Sequence, residues 1–83
     1  MLQPVRVDTG SEDEDGVLVF DTDRLVAVLV RLSDAHGDKA GRWFFEHGFG
    51  RLDGTAYPTF GDIEAAQDWI MQQLHRPARR PFA

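Results

Sequence analysis

The sequence predicts a small α+β protein, an antiparallel β-meander of three to four strands with one C-terminal helix packed on one face. Short runs rich in valine and aromatic residues alternate with turn signals in the first two thirds of the chain. Apolar residues then recur at helical spacing after residue 59. Because 83 residues suit one domain, we expect a single domain over 1–76 and a mobile, basic Pro/Arg-rich tail over 77–83.

The first third of the chain predicts two short strands joined by an acidic loop. Residues 2–7 fit an edge strand, and residues 11–16, SEDEDG, form a solvated acidic loop. The apolar run 17–20 is typical of a strand, and the Asp-Thr-Asp of 21–23 favours a tight turn after it.

The segment 25–32, LVAVLVRL, fits two structures. Its three valines alternate as in a strand, whereas its leucines and Val28 also fit a helical stripe. We favour the strand, because the polar residues 33–41 predict a loop that returns the chain into an aromatic strand over about 42–49. The alternative is a helix over 22–36, which gives the order β-α-β-β-α.

The last element is predicted to be a helix. Asp-Gly at 53–54 predicts a turn, and 56–57 a short strand. Thr59 and Asp62 predict a capping box, after which a helix runs to about Leu74, because its two isoleucines and Leu74 fall on one line at 100° per residue.

The aromatic strand is predicted to be apolar on both faces. Alternation sends Trp43, Phe45 and His47 one way and Phe44 and Glu46 the other. One helix covers only one face of a sheet, so Phe44 faces whatever covers the other side. A monomer that leaves such a face in water lacks several kcal/mol of stabilisation that burial of the face would contribute.

The uncovered face predicts a homodimer, since two-fold homodimers are the commonest assemblies. The candidate interface residues are Phe44, Val28, Leu29 and Trp69. Trp69 joins them because it lies on the shoulder of the helical stripe, where tryptophan is often an interface anchor. We therefore predict a non-enzymatic homodimer that acts as a protein-binding or adaptor module.

The alternative function is nucleic-acid binding, in which sheet aromatics stack on bases and arginines contact phosphates. The candidate contact residues are His47, Arg42, Arg51, Arg76, Arg79 and Arg80. The formal net charge of −5 disfavours this alternative. Residues 1–41 alone hold nine acidic and four basic side chains.

Motifs that carry chemistry are incomplete in this sequence. The chain has no cysteine, and its three histidines lack zinc-site spacing. Asp21 and Asp23 follow a strand, as in the first motif of haloacid-dehalogenase-like phosphatases, but the distant lysine and further carboxylates have no counterpart. Residues 11–16 imitate half of an EF-hand loop, with Thr22 at the position of the bidentate glutamate. We predict no catalytic residue, metal or cofactor.

Targeting signals are also not evident in the sequence. No signal peptide and no run of 18 apolar residues is present, so we expect a cytoplasmic protein without membrane contact.

Phe49-Gly50-Arg51, followed by a turn and an alanine-containing helix, resembles the Trp-Gly-Arg core of the WGR domain, a small module linked to DNA-end recognition. Phe49 stands where that family has tryptophan, and we do not assign the chain to it.

Overall fold

The computed structural model describes residues 1–54 and 58–75, except the side chains of 35 and 36. Five strands form one antiparallel sheet in sequence order, and a helix follows them. The elements are β1 (Leu2–Arg6), β2 (Asp15–Asp21), β3 (Arg24–Arg31), β4 (Trp43–Gly48), β5 (Thr59–Phe60) and α1 (Ile63–His75). This confirms the α+β meander with one C-terminal helix, with five strands instead of three to four. The strand predicted at 56–57 and the tail at 77–83 lie outside the described residues.

The ambiguous central segment is a strand. β3 pairs with β2 on one side and β4 on the other, so the helix over 22–36 and the order β-α-β-β-α are wrong. Thr22 and Asp23 alone join β2 to β3, and Thr22 takes a positive φ of 60°. A two-residue hairpin of this kind leaves no chain for a helix and brings the valines of β3 directly against β2.

A β-bulge interrupts the alternation of β4. Val28 pairs with His47 and Leu29 pairs with Phe45, so Glu46 is an extra residue on β4. Paired residues of an antiparallel sheet share a face. His47 therefore lies on the face of Val28, and the prediction that it shares a face with Phe45 is wrong.

Asp62 is the residue that begins the helix. Its Oδ1 accepts the backbone N–H of Ala65 at 2.7 Å, which is the bond an N-cap makes to the third residue of a helix. The predicted capping box is wrong in its first member, because Thr59 belongs to β5. Arg51 donates to the carbonyl oxygen of Leu74 at 2.9 Å near the other end of α1.

The hydrophobic core lies between α1 and one face of the sheet, which we call the helix face. Its buried members are Val17, Val19, Ala27, Leu29, Phe45, Leu52, Ala66 and Ile70. Phe45 is fully buried, and its ring lies edge-on to Trp69 with the ring centres 5.3 Å apart. Since a buried aromatic ring contributes several kcal/mol, this contact holds α1 to β4.

Candidate interaction surface

The face of the sheet opposite α1, which we call the second face, is also apolar. Strand register places on it Gln3, Val5, Leu18, Val28, Val30, Phe44, His47 and Thr59, and the extra residue Glu46 lines a pocket beside Phe44. Val30 pairs directly with Phe44, and Leu18 with Val28. Leu18, Val28 and Phe44 are half-buried. The core residues of α1 all pack on the helix face, so this face lacks the cover that the helix gives to the other.

Residues 8–14, which we call the acidic loop, cross one end of the second face. Asp13 is buried, with 9% of its surface exposed, and its Oδ1 accepts the backbone N–H of Ser33 at 2.7 Å. The hydroxyl of Thr9 donates to the carbonyl oxygen of Asp13 at 3.1 Å. The bond from Ser33 fixes the loop to the chain just after β3, and the bond from Thr9 lies within the loop.

A cavity of about 340 Å³ lies between the acidic loop and the sheet. The sheet and the chain just after β3 line it with Val30, Leu32 and Phe44, the loop lines it with Thr9, Ser11 and Asp13, and the remaining lining residues are Lys39, Glu46 and Thr59. Val30 and Leu32 are only 2% and 8% exposed. The loop therefore shelters the end of the second face near Ser33, while the other end, at Thr22, lies beyond its reach.

The structure separates the four predicted interface residues into two groups. Val28 and Phe44 both lie half-buried on the second face. Leu29 is fully buried in the core, where no partner reaches it. Trp69 packs on the helix face against Phe45 and Phe60, with centroid distances of 5.3 and 5.7 Å. The second face thus retains Val28 and Phe44 as its candidates.

The predicted nucleic-acid contacts do not converge in the described part of the chain. Arg42 donates to the hydroxyl and carbonyl oxygens of Thr59, each at 3.3 Å. Arg51 instead caps α1 at the opposite end of the sheet. His47 is exposed, with its ring 4.5 Å from that of Phe49. Arg76, Arg79 and Arg80 lie outside the described residues.

Sequence reasoning missed the contact that the acidic loop makes with the sheet. Asp13 stands among Glu12, Glu14 and Asp15, and only the fold distinguishes the one that is buried. The sequence also did not assign Phe49 to either face of the sheet. In the structure Phe49 is exposed, with 41% of its surface accessible.

Residues 1–54 and 58–75 contain neither a metal-binding cluster nor a membrane-spanning helix. This part of the chain holds no group of three or more histidine, aspartate or glutamate residues able to bind a metal ion. Within the same residues, α1 and the two short 3₁₀ helices, Asp34–Lys39 and Gly50–Leu52, lack the length and apolar character needed to cross a membrane. Comparison with protein families, curated proteins and solved structures found no match for this chain.

Proposed function

We propose that this chain is a non-enzymatic, cytoplasmic protein-binding module that forms a homodimer through its second face. The observation that carries the proposal is the pairing of Phe44 with Val30, and of Leu18 with Val28, on a sheet face opposite the helix. Antiparallel sheets with one solvated face usually alternate apolar and polar residues. An apolar second face is instead typical of a sheet that packs on another layer.

A partner that covers the half-buried side chains of the second face would contribute hydrophobic stabilisation. Covering a further ~50 Å² of the half-buried Phe44 side chain contributes about 1 kcal/mol at 25 cal/mol/Å². Val28 and Leu18 add smaller amounts on the same face. A second copy supplies a matching apolar layer without any further protein, and two-fold symmetry uses each contact twice.

The edge of the sheet is less suited to association than its face. Val7 donates its N–H to Glu14 and Phe20 donates to Met1, so odd-numbered residues of β1 turn their backbone groups toward β2. The even-numbered residues turn outward, and Pro4 among them has no N–H to offer a pairing strand. This arrangement blocks edge-to-edge pairing at β1 and favours packing through the face.

The mass of the protein in solution tests the proposal. We expect light scattering after size-exclusion chromatography to give twice the chain mass of 9.4 kDa. Phe44→Lys should give a monomer, because an ammonium group in an apolar interface lacks a partner and weakens association by at least about tenfold.

The matched control is Met71→Lys, which adds the same charge to an exposed position on α1, away from the second face. It should remain dimeric. The circular dichroism spectrum of Phe44→Lys must be that of the folded protein before its mass is interpreted. Val28→Thr, a nearly isosteric change, provides a second test. A wild-type mass of 9.4 kDa at high protein concentration contradicts the proposal.

A further inference from the structure

We propose that a cavity beside the end of α1, which we call the helix-side cavity, binds a small aromatic carboxylate. It has a volume of about 260 Å³ and lies where the turn between β2 and β3, the residues after β4 and the last turn of α1 meet. Because it lies on the side of α1, a partner on the second face leaves it open. Binding of the carboxylate does not depend on the homodimer proposed above.

A second β-bulge, in β3, shapes one wall of the helix-side cavity. The register of β2 with β3 shifts after Val19, which leaves Val26 as an extra residue on β3. Neighbouring residues of a regular strand point to opposite faces, whereas a bulge bends the strand and re-aims its side chains. Leu25 and Val26 are neighbours in sequence, and both line this cavity.

The opposite wall is formed by the chain after β4 and by the end of α1. Gly50 takes a positive φ of 58°, which turns the chain so that Phe49 and Arg51 both line the cavity. Nη1 of Arg51 donates to the carbonyl oxygen of Leu74 at 2.9 Å and holds this turn against α1. The fold therefore forms both walls before a ligand arrives, as in most small-molecule sites.

The charge around the helix-side cavity is positive, although the chain has a formal net charge of −5. Two guanidinium groups, of Arg24 and Arg51, line the cavity with one carboxylate, that of Asp21, and the imidazole of His75. Within the described residues Arg24 makes no ion pair or hydrogen bond, and this includes Asp21, its neighbour across the turn. The guanidinium of Arg24 can therefore donate two parallel N–H bonds to a carboxylate.

The remaining lining is apolar and suits a ring. Phe49 is 41% exposed, and Leu25, Val26 and Leu74 are each partly buried. An aromatic ring placed among these side chains removes apolar surface from water on both partners. It also gains an edge-on or offset contact with the ring of Phe49, which aromatic pairs prefer.

Volume and charge together define the class of ligand. Since a cavity of about 150 Å³ accommodates benzene, one of about 260 Å³ admits a ring with a short carboxylate arm. Two guanidinium groups against one carboxylate match a single negative charge, whereas a nucleotide adds a sugar and a dianionic phosphate to its ring. The net charge of −5 repels a polyanion at each of its charges and a monoanion at only one.

Titration with phenylacetate, followed by NMR of the backbone amides, tests the site. We expect saturable shifts at Arg24, Phe49 and His75 with a millimolar dissociation constant, which is usual for a ligand of this size. Phenylacetamide has the ring without the charge and acetate has the charge without the ring, so each should bind at least about fivefold more weakly. Equal binding of phenylacetamide, shifts centred on Val28 and Phe44 of the second face, or shifts that do not saturate overturn the proposal.

A matched pair of substitutions in β3 tests the role of Arg24. Arg24 and Arg31 are exposed residues at opposite ends of this strand, about 23 Å apart, which exceeds the Debye length at physiological salt. Arg24→Gln should raise the dissociation constant of phenylacetate at least about fivefold and leave that of phenylacetamide within about twofold. Arg31→Gln, which removes the same charge, should change neither. Equal effects of the two substitutions overturn the assignment of Arg24.

Phe49→Ala and Phe44→Lys distinguish this site from the second face. Phe49→Ala should weaken phenylacetate and phenylacetamide alike, because both lose the same ring contact. Phe44→Lys, folded by its amide spectrum, should bind phenylacetate as the wild type does, whether or not the wild type is a dimer. Unchanged binding by Phe49→Ala, or loss of binding in folded Phe44→Lys, overturns the helix-side site and leaves the homodimer to its own test.

Discussion

Asp13 is the residue that connects the acidic loop to the rest of the molecule. It is buried among exposed acidic neighbours and accepts the N–H of Ser33 at 2.7 Å. A buried acceptor of this kind satisfies a backbone donor that would otherwise lose its partner. This bond helps to hold the loop beside Val30 and Leu32, where the cavity between the loop and the sheet lies.

Asp13→Ala should lower the free energy of unfolding by about 1.5–3 kcal/mol, because hydrogen bonds to charged groups contribute that much. Asp13→Asn keeps an Oδ1 acceptor and should lose less than half of this amount. Urea unfolding followed by circular dichroism measures both variants. Equal losses for Ala and Asn would mean that the bond to Ser33 does not hold the loop.

At the scale of the element, the sequence predicts regular strands and the helix better than their irregularities. Simple alternation places Phe44 and Phe45 on opposite faces, and the structure agrees. Alternation fails at His47, because the bulge at Glu46 shifts every later residue of β4 by one. A bulge depends on how two strands pair across the chain, so the sequence of β4 alone does not specify it.

The same distinction explains what was predictable about the candidate site. The apolar second face follows from the sequence of β3, in which valines and leucines fill both sets of alternating positions. Leu29 and Trp69 were predicted to be interface residues, but both pack in or against the core beside α1. Which residues α1 covers depends on long-range contacts. The cavity under the acidic loop depends on the loop's contact with Ser33, twenty residues away.

Pro4 should protect the β1 edge against strand pairing. Pro4→Thr restores an outward N–H on a strand that already presents the carbonyls of Leu2 and Arg6. We expect light scattering to reveal species larger than the dimer as protein concentration rises. Arg6→Lys is the control, because Arg6 lies on the same face of β1 as Pro4 and already has an outward N–H, which the substitution leaves unchanged. A mass distribution for Pro4→Thr that equals that of the control contradicts this role of proline.

At the scale of the whole molecule, association should add to the stability of the fold. A chain of 83 residues buries only about 60–65% of the surface of its unfolded form. One face of the sheet gains its core from α1, and the proposed dimer supplies the layer on the other. The stability of such a protein depends on its own concentration, because the folded dimer is favoured by mass action.

The melting temperature should therefore rise with protein concentration, by about 4 °C for each tenfold increase, given the usual entropy of unfolding per residue for two chains of this length. Phe44→Lys, as a folded monomer, should melt at a temperature that does not change with concentration and that lies below that of the wild type. Scanning calorimetry over a hundredfold range of concentration measures both slopes. A flat wild-type slope would mean that the second face of the sheet is stable in water without a partner, and would remove the reason for the dimer.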